Sequence, residues 1–135
     1  FFKNGSSGEI KILKTVPGVT AIHCRTVPGR YVHMTDTEKD QARRDYTAYL
    51  LELLERGKAA DLLVLDEVIS ALNRGIVPME PVAAYLKAWG GEKEIVLTGR
   101  NPAQTLVELA DYVTEMRKEK HPFDQGVRAR KGIEY

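Results

Sequence analysis

An α/β architecture, a mostly parallel sheet with helices on both faces, is the fold class that this 135-residue sequence predicts. Three observations predict it. Leu62-Leu63-Val64-Leu65 is a short run of bulky aliphatic residues, the composition of a strand buried within a parallel sheet. Glu94 to Thr98 supplies a second short strand. The segments around these two carry helical periodicity, and strands alternating with helices at this spacing describe crossover units that keep neighbouring strands parallel.

In chain order, Gly5-Ser6-Ser7-Gly8 reads as a turn, Glu9 to Lys14 as one or two helical turns, and Pro17-Gly18 as a break. Val19 to Cys24 is short and rich in β-formers, and Pro28-Gly29 punctuates again. Thr35-Asp36-Thr37-Glu38 has capping-box spacing, in which the threonine hydroxyl and the glutamate carboxylate satisfy each other's orphan backbone donors. Ala42, Tyr46, Tyr49, Leu50, Leu53 and Leu54 then recur at three and four residues, and Gly57 supplies a stop. That stripe is a core face. Asp61 to Asp66 is the strand just described, followed by a helical piece from Val68 to Asn73. Pro81 opens a helix that continues through Val82 to Trp89 and ends at Gly90-Gly91. After Glu94 to Thr98, Asn101-Pro102-Ala103-Gln104 offers an N-cap, a first-turn proline and a third-position glutamine for a helix from Pro102 to Ala110. Tyr112 to Arg117 reads as a further strand.

Hydrophobic residues at 43% and charged residues at 29% are ordinary globular values, so neither disorder nor a membrane span is indicated. The formal net charge of +1 argues against a general nucleic-acid binder, although Arg117, Lys118, Lys120, Arg128, Arg130 and Lys131 make the tail locally basic. By pattern alone such a tail is equally a solvated edge or an anion site. Cys24 is the one cysteine, so no internal disulfide forms and a reduced, cytoplasmic setting is the default expectation.

The chemistry concentrates at two strand ends. Asp66-Glu67 closes the first aliphatic run, delivering two carboxylates to the carboxyl edge of a sheet, where α/β domains bind nucleotide phosphates and their metal ions. Many buried strands end in an acid, so the pair becomes specific only with its surroundings. His23, His33 and His121 form no metal-ligand spacing.

Those surroundings are Leu97-Thr98-Gly99-Arg100-Asn101, then Ala110 to Met116, Lys120-His121-Pro122-Phe123-Asp124, and Gly126 to Tyr135. In order and spacing they closely resemble the P-loop-type corrinoid adenosyltransferases, a family acting on cob(I)alamin or cob(I)yrinic acid a,c-diamide. The resemblance is close over residues 60 to 135 and looser before them. It implies a P-loop NTPase-like fold and transfer of the 5′-deoxyadenosyl group of ATP to the cobalt of a reduced corrinoid, with release of triphosphate. Co(I) is itself the nucleophile, so no activated serine or cysteine is needed.

Carried onto this sequence, the resemblance assigns Glu67 and Asp66 to catalysis through Mg²⁺. It assigns Thr98, Gly99, Arg100, Arg128, Lys131 and Glu134 to the nucleotide, and Tyr31 and His33 to the corrinoid. The last two depart from the family's Phe-Thr-Trp pattern, and Ile69-Ser70 stands where an Asn-Tyr pair often follows the acids. His33 is also readable as a surface histidine. The resemblance further implies a homodimer and an electron donor that supplies Co(I), with neither nucleic acid nor membrane as partner.

No Gly-x-x-x-x-Gly-Lys-Ser/Thr occurs in the sequence, and Phe1-Phe2-Lys3-Asn4-Gly5 resembles the end of the family's second strand. The expectation is one domain over 1–135, N-terminally incomplete, lacking the first strand, the phosphate loop and the first helix. Two other readings stay open. One is a noncatalytic corrinoid- or nucleotide-binding module without a phosphate loop. The other is a P-loop NTPase that hydrolyses ATP with Glu67 as base.

Overall fold

The computed structural model describes residues 1–2, 8–24 and 31–130. The turns expected at 5–7 and at Pro28-Gly29 lie outside them, as do Lys131 and Glu134. The chain forms two compact units, Phe1–Asn4 with Ile22–Ala110, and Gly5–Ala21 with Asp111–Tyr135.

The first unit is α/β. A 3-10 turn at Tyr31–His33 leads into helix α2 (Asp36–Gly57), strand β1 (Leu62–Leu65), helices α3 (Val68–Asn73) and α4 (Met79–Trp89), strand β2 (Glu94–Leu97) and helix α5 (Gln104–Leu109). The two strands pair in parallel, with Leu62 opposite Glu94 and Leu65 opposite Leu97. The second unit holds the short helix α1 (Gly8–Leu13) and a 3-10 turn at Pro122–Gln125. In that turn His121 Nδ1 accepts the Phe123 N–H at 3.1 Å, and Lys118 pairs with Asp124 at 2.7 Å.

Helix α2 starts where the capping box places it. Thr35 Oγ1 accepts the Glu38 N–H at 3.3 Å, and the Thr35 N–H donates to Glu38 Oε2 at 2.7 Å. The hydrogen bonds from Thr35, its backbone N–H foremost, hold the Glu38 carboxyl below its ordinary pKa. The stripe predicted for this helix is its buried face: Ala42, Tyr46, Leu50, Leu53 and Leu54 all enter the interior. They meet Leu65, Val68, Ile76, Val82, Tyr85 and Leu106 in one core. Gly57 closes the helix at a point where a Cβ would stand 2.8 Å from both Leu63 Cδ2 and Tyr85 Oη, so a larger residue here would require those two side-chain ends to shift.

Period-two alternation divides the sheet residues. Leu65 is buried, and Leu63, Ile95 and Leu97 pack against the core, while Leu62, Val64 and Val96 face outward at 54%, 52% and 44% exposure. At the other end of the first unit's chain, the Phe1 and Phe2 rings lie 6.2 and 5.9 Å from Tyr46, and the Phe1 backbone nitrogen donates to Asp66 O at 2.6 Å. Phe1 therefore lies beside the carboxyl end of β1.

Four local expectations change. Helix α4 starts at Met79 with Pro78 as N-cap, so Pro81 lies in its first turn and does not open it. The segment from Tyr112 to Arg117 forms no strand; its β pattern describes what a ladder would accept, but no described strand pairs with it, and Tyr112 is 93% exposed. Val19 to Cys24 likewise has no ladder partner among the described residues. Helix α5 starts at Gln104 rather than Pro102, with Ala103 as N-cap, because Asn101 is in the left-handed region at φ 54° and cannot act as the cap.

Candidate functional site

Parallel strands end on the same side of a sheet, so the residues after β1 and those after β2 come together. Asp66 and Glu67 connect β1 to α3, and Thr98, Gly99 and Arg100 follow β2. The Thr98 N–H extends the ladder to Leu65 O at 3.2 Å, and its carbonyl accepts the Ile69 N–H at 3.2 Å. The Thr98 hydroxyl completes the junction. It donates to Asp66 Oδ1 at 2.9 Å and accepts the Glu67 N–H at 2.8 Å. One side chain thus fixes both acids through one donor and one acceptor.

Glu67 is held in a left-handed conformation, φ 59° and ψ 18°, which costs a non-glycine residue about 1 kcal/mol or more. The connection forces it: two residues must turn the chain from the end of a strand into the first turn of α3. Its carboxylate Oε2 accepts the Ser70 hydroxyl proton, which holds the acid over the start of that helix. Gly99, φ 142°, packs so closely on α3 that a Cβ would sit 2.7 Å from Ile69 Cβ. Its place in the motif is therefore one of close packing as well as of backbone exposure.

Sequence reasoning missed two participants. Ser70 stood out only as a departure from a pattern, and Asn73 not at all. The Asn73 carboxamide donates to the carbonyls of Arg100 and Asn101 at 2.8 and 2.9 Å. Ser70 lies one helical turn after Glu67, a spacing that could have revealed it. Asn73 had no such signal.

The other predicted positions fall as follows. Arg100 is exposed and forms no ion pair among the described residues. Arg128 is exposed in the second unit. Tyr31 packs its ring against the core, and its buried hydroxyl has no hydrogen-bond partner among the described residues. His33, in the same 3-10 turn, is exposed.

The donor set suits a hard cation. Asp66 and Glu67 offer carboxylate oxygens beside a threonine hydroxyl, and no cluster of three or more His, Cys, Asp or Glu able to hold a metal exists among the described residues. Mg²⁺ is bound through one or two carboxylates with water and phosphate oxygens completing its shell, whereas Zn²⁺ needs a protein cage. The residues present fit Mg²⁺ with a nucleotide. A shallow depression lined in part by Asp61, Glu92 and Glu94 lies at the amino ends of the strands, away from this junction.

Comparison with known proteins identifies the family. The family model described as ATP:corrinoid adenosyltransferase BtuR/CobO/CobP matches residues 1–135, including the first half, where the resemblance looked looser. Corrinoid adenosyltransferase CobA of Salmonella typhimurium is 35% identical over 105 residues, 73% of this chain and 54% of its own length. The corrinoid adenosyltransferase of Pseudomonas aeruginosa is 31% identical over 130 residues, 96% of this chain and 64% of its own, and that of Escherichia coli K12 is 34% identical over 101 residues, 70% and 52%. The chain spans between about half and two thirds of the length of these relatives. The match of the family model across residues 1–135, with relatives more than 30% identical, places this chain in the ATP:corrinoid adenosyltransferase family.

Proposed function

We propose that the full-length protein transfers the 5′-deoxyadenosyl group of ATP to the cobalt of a reduced corrinoid. The observation that carries this reading is the junction itself: the Asp66 carboxylate and the Glu67 backbone N–H both bonded to Thr98, and the Glu67 carboxylate to Ser70, at the carboxyl ends of parallel strands in a chain of this family. Strain held at such a point favours a functional over a packing role for Glu67.

In the reaction Co(I) of the substrate supplies an electron pair to ribose C5′. The C5′–O bond breaks, its electron pair leaves on triphosphate, and cobalt is formally oxidised to Co(III) in the new Co–C bond. No proton need be removed from the nucleophile. The protein's share is to orient C5′ toward cobalt and to stabilise the charge that collects on the leaving oxygens. Mg²⁺, held by Asp66 and Glu67 directly or through water, would supply neutralising charge to the triphosphate. Thr98 holds the Asp66 carboxylate and the Glu67 backbone, and Ser70 the Glu67 carboxylate. Arg100 contributes a planar cation with several donors to phosphate oxygens. Gly99 lets the turn close against α3, and the family resemblance assigns Arg128, Lys131 and Glu134 to the nucleotide as well.

Tyr31 and His33 face the corrinoid, where an apolar wall excludes water and favours departure of the lower axial ligand. The expected partners are ATP, the corrinoid, an electron donor that generates Co(I), and a second copy of the chain, in the cytoplasm. No helix among the described residues is long and apolar enough to cross a membrane.

Product analysis tests the reading. Full-length protein given ATP, Mg²⁺ and chemically reduced corrinoid is expected to form a Co–C bond and release one triphosphate per adenosyl group. Diphosphate or monophosphate release without alkylated cobalt would instead identify a hydrolase.

A further inference from the structure

Asn73 is the last residue of α3 and belongs to none of the motifs above. Its side-chain nitrogen has two N–H donors, and two consecutive carbonyls, those of Arg100 and Asn101, accept from it. Consecutive carbonyls converge on one point only where the backbone curls. Here it does so through Gly99 at φ 142° and Asn101 at φ 54°.

The start of the same turn is also fastened to α3. Ile69 donates its N–H to Thr98 O at 3.2 Å, and Gly99 lies where a Cβ would come within 3.0 Å of the Ser70 nitrogen. Between those fastenings and the Asn73 amide stands Arg100. Its exposed side chain has no ion-pair partner among the described residues, so what the fold fixes is the direction in which its Cα–Cβ bond leaves the turn.

We propose that Asn73 is the positioning residue for Arg100, its carboxamide holding the carbonyls of residues 100 and 101 so that the guanidinium is aimed at the phosphate chain of the nucleotide. This rests on the reading of Arg100 as a phosphate ligand. A turn ordered in advance spares the arginine the conformational entropy that a loose one would lose on binding. An amide suits the position because it donates twice without bringing a charge that would compete for the guanidinium. Aspartate, of the same size, would face two carbonyl oxygens with a carboxylate and donate nothing.

The test is ATP affinity in the presence of Mg²⁺, measured by calorimetry on the full-length protein and independent of turnover. Arg100→Ala is expected to weaken binding about 10-fold or more, as loss of a charge-assisted contact does. Asn73→Ala is expected to weaken it about 5- to 10-fold, the lower end of what a pair of neutral hydrogen bonds is worth. The double variant should match Arg100→Ala alone, since a residue that acts through another has nothing left to position. Asn73→Asp should weaken binding as well, and it replaces the alanine variant if that one does not fold.

Additive losses in the double variant, or wild-type affinity in both Asn73 variants, would overturn the proposal. So would wild-type affinity in Arg100→Ala, which would leave Asn73 no phosphate ligand to aim. Triphosphate release by the unaltered protein judges the adenosyltransferase reading separately.

Discussion

Thr98 donates its hydroxyl proton to Asp66 Oδ1 across 2.9 Å, tying the end of one strand to the acid that follows its neighbour. Valine has the same shape and neither donor nor acceptor. Thr98→Val therefore leaves Asp66 without this donor and the Glu67 N–H without its acceptor. We expect a loss of about 2 kcal/mol in stability, the scale for orphaning partly buried polar groups, and an activity loss of about 10-fold or more as the acids drift. Thr98→Ser should retain most of both. Denaturant titration and initial rates check this, and a valine variant equal to wild type would show that the bond fixes nothing.

Glu67 allows strain and chemistry to be separated. Glu67→Ala and Glu67→Gly both remove the carboxylate, but only glycine relieves a backbone held at φ 59°. The glycine variant should be more stable than the alanine variant by about 1 kcal/mol. Both should lose activity by about 100-fold or more, the scale for removing an electrostatic element of this kind. Equal melting temperatures in the two would mean that the residue relaxes out of the left-handed region at no cost.

At the corrinoid side, Tyr31 packs its ring on the core while its hydroxyl has no partner among the described residues. Tyr31→Phe is expected to behave as wild type, and Tyr31→Ala to lose activity by opening the wall to water. His33→Ala should alter corrinoid affinity and leave ATP affinity unchanged. Electron paramagnetic resonance of cob(II)alamin with MgATP reads the four-coordinate species directly, and unchanged spectra in both alanine variants would exclude this turn from the corrinoid site.

Lys93 caps α2 from outside the helix. Its ammonium donates to the carbonyls of Gly57, Lys58 and Ala60 at 2.8, 2.6 and 3.1 Å, and lies 4.7 Å over the Trp89 ring. All three N–H groups are used, at the helix end where a cation is favoured. Lys93→Met should lower stability by about 1–3 kcal/mol with turnover intact below the melting transition, because the cap lies at the end of the strands remote from the acids. A fall in turnover matching the fall in stability would contradict that separation.

Burial raises the Tyr49 phenol to about 12 from 10.0, and shifts Tyr46 and Tyr85 upward for the same reason. The folded protein then keeps protons that the unfolded chain releases above pH 10, so it binds more protons there and its stability falls as pH rises. The stabilisation should be intact below pH 10 and decline from there toward 12. Tyrosinate absorbance and circular dichroism, followed together, should move in the same pH range. Ionisation complete at pH 10 with the fold intact would refute the assignment.

What the sequence disclosed was local. Thr35-Asp36-Thr37-Glu38 announced its capping box, the Tyr46 and Leu50 stripe its burial, and Leu62 to Leu65 its strand, because each depends on neighbours within a turn or two. Val68–Asn73 was legible for the same reason. Asp66, Glu67 and Thr98 were recognisable as chemistry, but that Thr98 bonds both acids depends on residues 31 and 32 apart meeting in space. Asn73 reaches 27 and 28 residues forward, and no periodicity records such a contact. Asn101 carries N-cap chemistry and is instead curled beneath Asn73. The β pattern of Tyr112 to Arg117 similarly states a capacity, and pairing needs a partner that local composition does not name.

Leu62, Val64 and Val96 give the sheet an apolar, half-exposed outer side. Attraction between such patches strengthens on warming and in sulfate. Concentrated solutions of this chain should therefore become turbid as temperature rises while the backbone is still folded, and should clear again on cooling. Solubility, more than the melting transition, would then set the conditions under which the chain can be handled.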